Sequence, residues 1–476
     1  MKRHHIPLLL SILVAPLIYA QNISQNDIPL KITEPGTYVL QENVTYKHFE
    51  DAIKIKSDNV IFDFNGFSLT LTKHKANGVV VKKSTDFTIE NGMISNTSSK
   101  KHHGDDIKIV QSNGGIIQNM LTVGNRDGLD IRKSQDIQVL DSNFSQARKA
   151  AVLVEESTDV TFNNDIFADS NNGLMLSGTN ENIVLSNSTF PSASFSNLLA
   201  QQVNNMMVEK CTFVNVDGDP AKLNLVQFGD ADPSQVCNDV AIRYCIIRNR
   251  PAPGGNTAPE GLGLYQGSGF LVDSCVIDID NTNQDPAADL SGIHVSNPGL
   301  GVNGTIASNV IIRNCIIQGP ATDGLYPDVG SSNILIENNL VSGAAKDGIF
   351  VAGTTGCTVI GNTVVNNATN GIFVGEVSPS NAIINNVVNN NGFAPITSSL
   401  PPFGNGISIA SDSSFNLIQG NDAFNNAVNG IDNEGANNQI FGNNAFGNGN
   451  QNFHSISTVI VSSAGAATLA GANISA

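Results

Sequence analysis

Apolar and polar residues alternate in short bursts along most of the chain, and each burst opens on a small or turn-forming residue. Ala52-Ile53-Lys54-Ile55, Gly78-Val79-Val80-Val81, Asp106-Ile107-Lys108-Ile109, Gly128-Leu129-Asp130-Ile131 and Gly173-Leu174-Met175-Leu176 set the pattern. Gly292-Ile293-His294-Val295, Gly348-Ile349-Phe350-Val351, Gly371-Ile372-Phe373-Val374 and Gly406-Ile407-Ser408-Ile409 continue it. A period of two sends successive side chains to opposite faces, so these bursts predict strands, not helices. They also recur at a nearly fixed step: Ile107, Leu129, Val152, Leu174 and Leu198 are 22, 23, 22 and 24 residues apart. A repeat of that length holds three short strands and three turns, and is too short for two helices or a propeller blade. About fifteen such coils, stacked in parallel, make an all-β solenoid with a continuous apolar interior.

A second column confirms the register. Later in each coil come Val139-Leu140-Asp141-Ser142, Leu185-Ser186-Asn187-Ser188, Ile336-Glu337-Asn338-Asn339 and Ile360-Gly361-Asn362. An Asn recurring at a turn can bond the amides of neighbouring coils and so form a ladder. In the middle coils Cys211, Cys245, Cys275 and Cys315 take that position, which predicts small buried hydrophobes with free thiols rather than a disulfide framework or a zinc site. Within each opening strand Ile53, Val79, Ile107, Leu129, Val152 and Ile293 are expected to point inward. The residues that follow them, from Lys54 and Val80 through Lys108, Asp130, Leu153 and Met175 to His294, Tyr326, Phe350 and Phe373, are expected to line one outer face.

These repeats resemble the right-handed parallel β-helix proteins of the pectate-lyase-like superfamily, whose repeats recur in carbohydrate-binding proteins and sugar hydrolases. Ile32-Thr33-Glu34-Pro35-Gly36-Thr37-Tyr38-Val39-Leu40, followed by Asp58-Asn59-Val60-Ile61-Phe62-Asp63-Phe64-Asn65-Gly66, is similar to the entry of such helices. The resemblance covers about 30–450 and implies a fold; one superfold hosts many chemistries, so it implies only a broad function.

The ends differ in composition. A basic start, Lys2-Arg3-His4-His5, precedes an apolar run from Ile6 to Leu17 and a small residue at Ala20, which predicts a secretory signal peptide over 1–20. The expected division is then an N-terminal cap over 21–51, the β-helix over 52–454 with loop insertions in 215–305, and a C-terminal cap or tail over 455–476. No later apolar run reaches membrane-spanning length, so the protein is expected to be secreted, periplasmic or on the cell surface. Charge narrows the partners. With 25 Lys+Arg against 42 Asp+Glu the formal net charge is −17, which disfavours nucleic acid and leaves polysaccharide or a surface glycan.

Two patches carry candidate chemistry. The first stacks His103-Gly104-Asp105-Asp106-Ile107-Lys108 on Asn125-Arg126-Asp127-Gly128-Leu129-Asp130-Ile131-Arg132. Strand spacing gathers Asp105, Asp106, Asp127 and Asp130, and crowded carboxylates push their pKa values apart, as an acid/base pair for glycoside hydrolysis requires. Lys108, Arg126 and Arg132 can hold a uronate or sulfate, or supply the base of a β-elimination. The wording is similar to that of polygalacturonase-type hydrolases, but the Asp-Asp coil here precedes the Asn-x-Asp coil and no Gly-His-Gly follows. The competing reading is that Asp-Gly before a strand is turn chemistry, since it recurs at 323–324 and 347–348 with no cluster. On paper Lys54, Lys56, Lys82, Lys108 and Arg132 also form a basic strip.

The second patch is central, where Leu225, Leu262, Ile293 and Leu325 are separated by 37, 31 and 32 residues. Insertions on successive repeats tend to fall on one side and wall a binding face. They are expected to enclose a groove floored by Tyr265, His294, Tyr326 and Asp328, with Asp323, Asp289 and Arg250 nearby. The rings would stack on sugar faces, and His294 would shuttle a proton. The competing reading is an ordinary surface histidine among decorated loops. No cofactor is indicated. Asp217-Gly218-Asp219, Asp230-Ala231-Asp232 and Asp278-Ile279-Asp280 leave calcium open, without the twelve-residue loop that would specify it. Two classes remain: a polysaccharide hydrolase or lyase, and a non-catalytic binding or adhesion scaffold.

Overall fold

A computed structural model describes residues 20–98, 103–215, 225–229, 234–249, 260–279, 291–296, 307–319, 322–392 and 404–456. The expected signal segment before Ala20, the central insertion segments and the tail beyond Ile456 lie outside the described residues. What is described is all β apart from one 3-10 turn at Gln25–Asp27. Each coil contributes an opening, a middle and a closing strand, and every strand pairs in parallel with its counterpart in the next coil. The opening strands run from Leu30–Ile32 through Asp105–Val110, Asp127–Arg132 and Ile293–Val295 to Gln451–Ser455. Among the described residues they form a ladder of 17, while middle and closing strands together make a 31-stranded sheet. The result is a parallel β-solenoid, as the repeat length demands.

Stacking starts earlier than expected. Gln21–Ile23 pairs with Tyr38–Leu40 and Leu30–Ile32 with Ile53–Ile55, so residues 21–51 enter the ladders as rungs. Their alternation places Ile23, Ile32 and Leu40 in the same interior as the later coils.

The interior follows the alternation. Ile53, Val79, Ile107, Leu129, Val152 and Ile293 are all buried. On the closing strands Phe167, Phe190 and Phe213 stack with ring centroids 4.5 and 4.7 Å apart, the spacing of the strands themselves. Small residues open the coils because the next coil's backbone lies there: a Cβ on Gly128 would meet the Ala151 carbonyl oxygen at 2.6 Å. Turns between middle and closing strands need a left-handed residue, supplied by Asn119 (φ 52°), Asp141 (φ 52°) and Asn338 (φ 54°), because Asn and Asp tolerate that region.

The ladder after that turn forms as anticipated. Asn339 N–H donates to Asn362 Oδ1 at 2.8 Å, and Asn362 Nδ2 donates to the Ile336 carbonyl at 2.9 Å. The thiols of Cys211, Cys245, Cys275 and Cys315 occupy the same column; all six cysteines are free and buried. A second internal column lies just before the coil-opening residue. There Asp323 Oδ1 accepts the Asp347 amide at 3.0 Å, and Asp347 Oδ1 accepts the Asn370 amide at 2.8 Å.

Candidate functional site

The outer face of the opening ladder carries the anticipated residues in register. Lys108 aligns with Asp130, Asp130 with Leu153, and His294 with Gly263 and Tyr326. Both patches therefore lie on one face, separated along the solenoid axis.

In the first patch, Lys108 Nζ donates to Asp105 Oδ2 at 3.0 Å and to Asp130 Oδ2 at 2.8 Å. Arg126 Nε donates to Asp127 Oδ2 at 2.9 Å, and its Nη2 reaches Asp105 at 3.0 Å. Arg132 Nε holds Asp130 Oδ1 at 2.7 Å, and its Nη1 lies 2.7 Å from Glu155. Carboxylate oxygens of Asp105, Asp127 and Asp130 fall within 4.8 Å of one another. The layering is informative: these carboxylates are at most 2% exposed, whereas Lys108, Arg126 and Arg132 are 25–29% exposed. A ligand arriving from solvent meets cations, including Nη1 of Arg126 and Nη2 of Arg132, which have no acceptor among the described residues.

Burial raises the Asp105 carboxyl to about 7, reinforced by Asp130 and opposed by Lys108. Burial also raises Asp127, against Arg126 and Lys149. Asp130 stays below the usual range: burial pushes it up, but the bonds from Arg132 and Lys108 outweigh that. Lys108 is raised because its two carboxylates exceed its desolvation, so it is a cation and not the base of an elimination. Asp106 does not join the cluster. It sits in the column of coil-opening glycines, aligned between Gly78 and Gly128, where its carboxyl accepts from Asn125 Nδ2 at 3.2 Å. Full burial pushes its pKa well up. The basic strip is also interrupted, because Val110 separates Lys82 from Arg132 in the ladder and Lys54 pairs with Asp51 at 3.4 Å.

The central patch assembles Tyr265, His294, Tyr326 and Asp328 as expected, around a residue that the sequence reading missed. Glu260 accepts from Tyr265 Oη at 2.5 Å through Oε2, and its Oε1 lies 2.5 Å from His294 Nδ1. On the other side His294 Nε2 approaches Asp328 Oδ2 at 3.3 Å. Ser296 Oγ and Tyr326 Oη donate to Asp328 at 3.0 and 3.1 Å. Burial alone would lower the His294 pKa, but the Glu260 charge and the bonds to both carboxylates raise it to about 9. The imidazole is thus held as a cation donating from both nitrogens, not as a neutral-pH proton shuttle. Asp328 is lowered: burial acts upward and the His294 bond outweighs it.

Two further expectations change. His294, Tyr326, Phe350 and Phe373 stack on one another at 4.8, 5.2 and 5.0 Å, so their faces are covered and their edges line the surface. Asp323 turns into the internal column described above and leaves the groove. Asp289 and Arg250 lie outside the described residues. Glu260 was legible in principle, since it stands in the column of Asp127, Asp323, Asp347 and Asn370, where the extra methylene prevents the short ladder bond and sends the carboxylate outward. Of the calcium-type motifs only Asp278 and Ile279 lie within the described residues, and the Asp278 carboxylate lies 3.6 Å from Arg248 Nε. A divalent ion on the Asp105, Asp127 and Asp130 group would have to displace Lys108 and Arg126.

A family model described as the right-handed beta helix region matches residues 30–190 and 260–400. No curated protein matches the chain. Among solved structures, a mutant tailspike protein of E. coli bacteriophage HK620, in complex with a pentasaccharide, has a TM-score of 0.50 at 11% identity, over 81% of this chain and 69% of that one. The surface adhesin PfbA of Streptococcus pneumoniae has a TM-score of 0.42 at 14% identity, over 73% and 85%. The A-module of an Azotobacter vinelandii mannuronan C-5 epimerase has 0.25 at 11%, over 89% and 91%. At 11% identity the likeness to the tailspike is one of fold alone. No helix among the described residues is long and apolar enough to cross a membrane.

Proposed function

Because the chain belongs to the right-handed β-helix family, a rigid scaffold that presents side chains from consecutive coils, we propose that it is an exported protein that recognises polysaccharide. The outer face of its opening ladder is the binding surface. One observation carries the reading: Glu260, Tyr265, His294, Tyr326 and Asp328 come from adjacent coils and converge through mutual bonds of 2.5–3.3 Å into one rigid polar set. The buried Glu260, Tyr265 and Tyr326 hold the partly exposed His294 and Asp328 in place, and groups fixed in this way bond sugar hydroxyls without loss of side-chain entropy on binding. The signal-like start of the sequence and the acidic surface agree with an extracytoplasmic glycan ligand. Binding without cleavage is the favoured form of the reading, since His294 is already charged and both its nitrogens are engaged.

A cleavage reading attaches to the first patch, on the separate observation that Asp105 is raised to about 7 beside an Asp130 held low. Those are the states of an acid and of a base or nucleophile. It favours hydrolysis over elimination, because Lys108 is protonated. Here the cationic layer would seat an acidic sugar above the carboxylates.

The test is a panel of neutral and acidic polysaccharides offered to the folded protein. Binding is read by affinity electrophoresis, and cleavage by new reducing ends together with the ultraviolet absorbance of unsaturated uronate. Asp328→Asn and Glu260→Gln are expected to weaken binding at least about tenfold, the effect of losing about 1.4 kcal/mol. Unchanged binding in both variants, or no binding to any polymer, overturns the assignment. Reducing ends that vanish in Asp105→Asn would support the cleavage reading.

A further inference from the structure

The middle ladder, on a different face from the glycan surface, has an outward column that is apolar for six consecutive coils. Val184, Met207, Ala241, Leu271, Ile311 and Leu335 align one to the next, and all six are partly exposed. Thr161 and Thr358 bound the stripe on either side. Five strand spacings of about 4.8 Å give it a length of about 24 Å. An outward apolar column of this extent is more than the scattered apolar residues of an ordinary surface.

Two residues further along each strand, on the same face, runs a column of alternating charge: Glu209, Arg243, Asp273, Arg313 and Glu337. Inside the chain only part of it is satisfied. Arg313 Nη2 pairs with Asp273 Oδ2 at 2.9 Å. Arg243 makes no side-chain hydrogen bond or ion pair among the described residues, and its Nε, like that of Arg313, is buried without an acceptor. Glu337, three coils from Arg243, makes no side-chain hydrogen bond or ion pair among the described residues, and within the chain its charge acts on Arg313 in the next coil.

We propose that this face pairs with a second copy of the same chain, the two solenoids running antiparallel. A twofold axis parallel to the strands, midway between the Leu271 and Ile311 rungs, lays each column on itself and reverses the coil order. Leu271 of each copy then faces Ile311 of the other, and Ala241 faces Leu335. The charges follow without a clash: Asp273 meets Arg313, and Arg243 meets Glu337. An isologous contact must be self-complementary in this way, and alternating signs about that axis make it so. The opening ladder stays open in both copies, so the assembly would offer two glycan surfaces and gain by avidity on a repeating polymer.

The experiment is sedimentation equilibrium of the purified protein over a concentration series, with circular dichroism to confirm that each variant is folded. The wild type is expected to dimerise reversibly. Arg243→Glu and Glu337→Arg, each alone, place like charges across the axis and should weaken dimerisation at least tenfold. The two combined should restore it to near the wild-type constant. A wild type that stays monomeric at all concentrations overturns the proposal. So does a dimer that is indifferent to both single changes, or a double variant no better than the singles.

Discussion

The two patches of the opening ladder stand on the same outward column at the same strand spacing, yet they present opposite charges to solvent. In the first, carboxylates lie beneath and Lys108, Arg126 and Arg132 form the exposed layer. In the second, Glu260 and the cationic imidazole of His294 lie beneath, with side-chain exposures of 8% and 13%, and the carboxylate of Asp328 is the most exposed of the three at 22%. A solenoid can therefore present either sign of charge on one face of an overall acidic molecule. What decides is which partner stands on the strand and which reaches over it. Short Asp side chains on the rungs are buried by the long cations that cross them; an imidazole on the rung is instead flanked by acids from the coil corners.

The largest effect should come from breaking the first patch. Asp130→Ala leaves Lys108, Arg126 and Arg132 around an empty centre, and removal of one partner from a buried ion cluster costs about 3–5 kcal/mol. Urea unfolding should show that loss while glycan binding at the central patch persists in whatever protein remains folded. An Asp130→Ala variant of wild-type stability would mean that the cluster is not a buried network at all.

Next in size is the dependence of stability on pH, which separates the two patches by window. Asp105 is raised from an ordinary carboxylate value to about 7. The folded state therefore holds a proton that the unfolded state releases, and stability is lost as pH rises from about 4 to about 7. His294 is raised to about 9, so its contribution is present below about 6.5 and is lost as pH rises through about 9. Each group gives at most about 1.4 kcal/mol per pH unit inside its window. Asp165 and Asp106, buried and raised, add slope of the same sign as Asp105. Difference curves isolate the patches: Asp105→Asn should remove its share of the slope in the acid window alone, leaving that of Asp165 and Asp106, and His294→Gln should act in the alkaline window alone. Coincident changes in both windows would show that the patches are coupled.

Much of this was legible in the sequence, for a physical reason. Period-two alternation and a 22-residue step leave a parallel solenoid as almost the only way to bury Ile107, Leu129 and Val152, so the inward and outward columns followed at once. The asparagine ladder was equally readable, because a turn amide repeated once per coil has only its neighbours to bond. Side-chain reach was not readable. Asp106 and Asp323 sit next to the coil opening, where one position of difference turns a side chain from the outer face into the stack, and alternation breaks down at a turn. The charge state of His294 was hidden for a related reason: it depends on Glu260, thirty-four residues earlier, and on how far one extra methylene extends.

That methylene is the subject of the smallest expected change. Glu260 stands in a column whose Asp and Asn members accept an amide from the next coil, as Asp347 does from Asn370. Shortening it with Glu260→Asp should let the carboxylate make that bond to the Ser291 amide, turning the second patch toward the arrangement of Asp127, whose Oδ1 accepts the Ala150 amide at 3.1 Å. Stability should then change by less than about 1 kcal/mol, since one hydrogen bond replaces another. The imidazole would lose its larger electrostatic partner, and its titration midpoint, followed by NMR of the ring protons, should fall from about 9 toward the ordinary histidine value. A midpoint that stays high would mean that Asp328 alone holds the charge, and that the column position of Glu260 is incidental to the site.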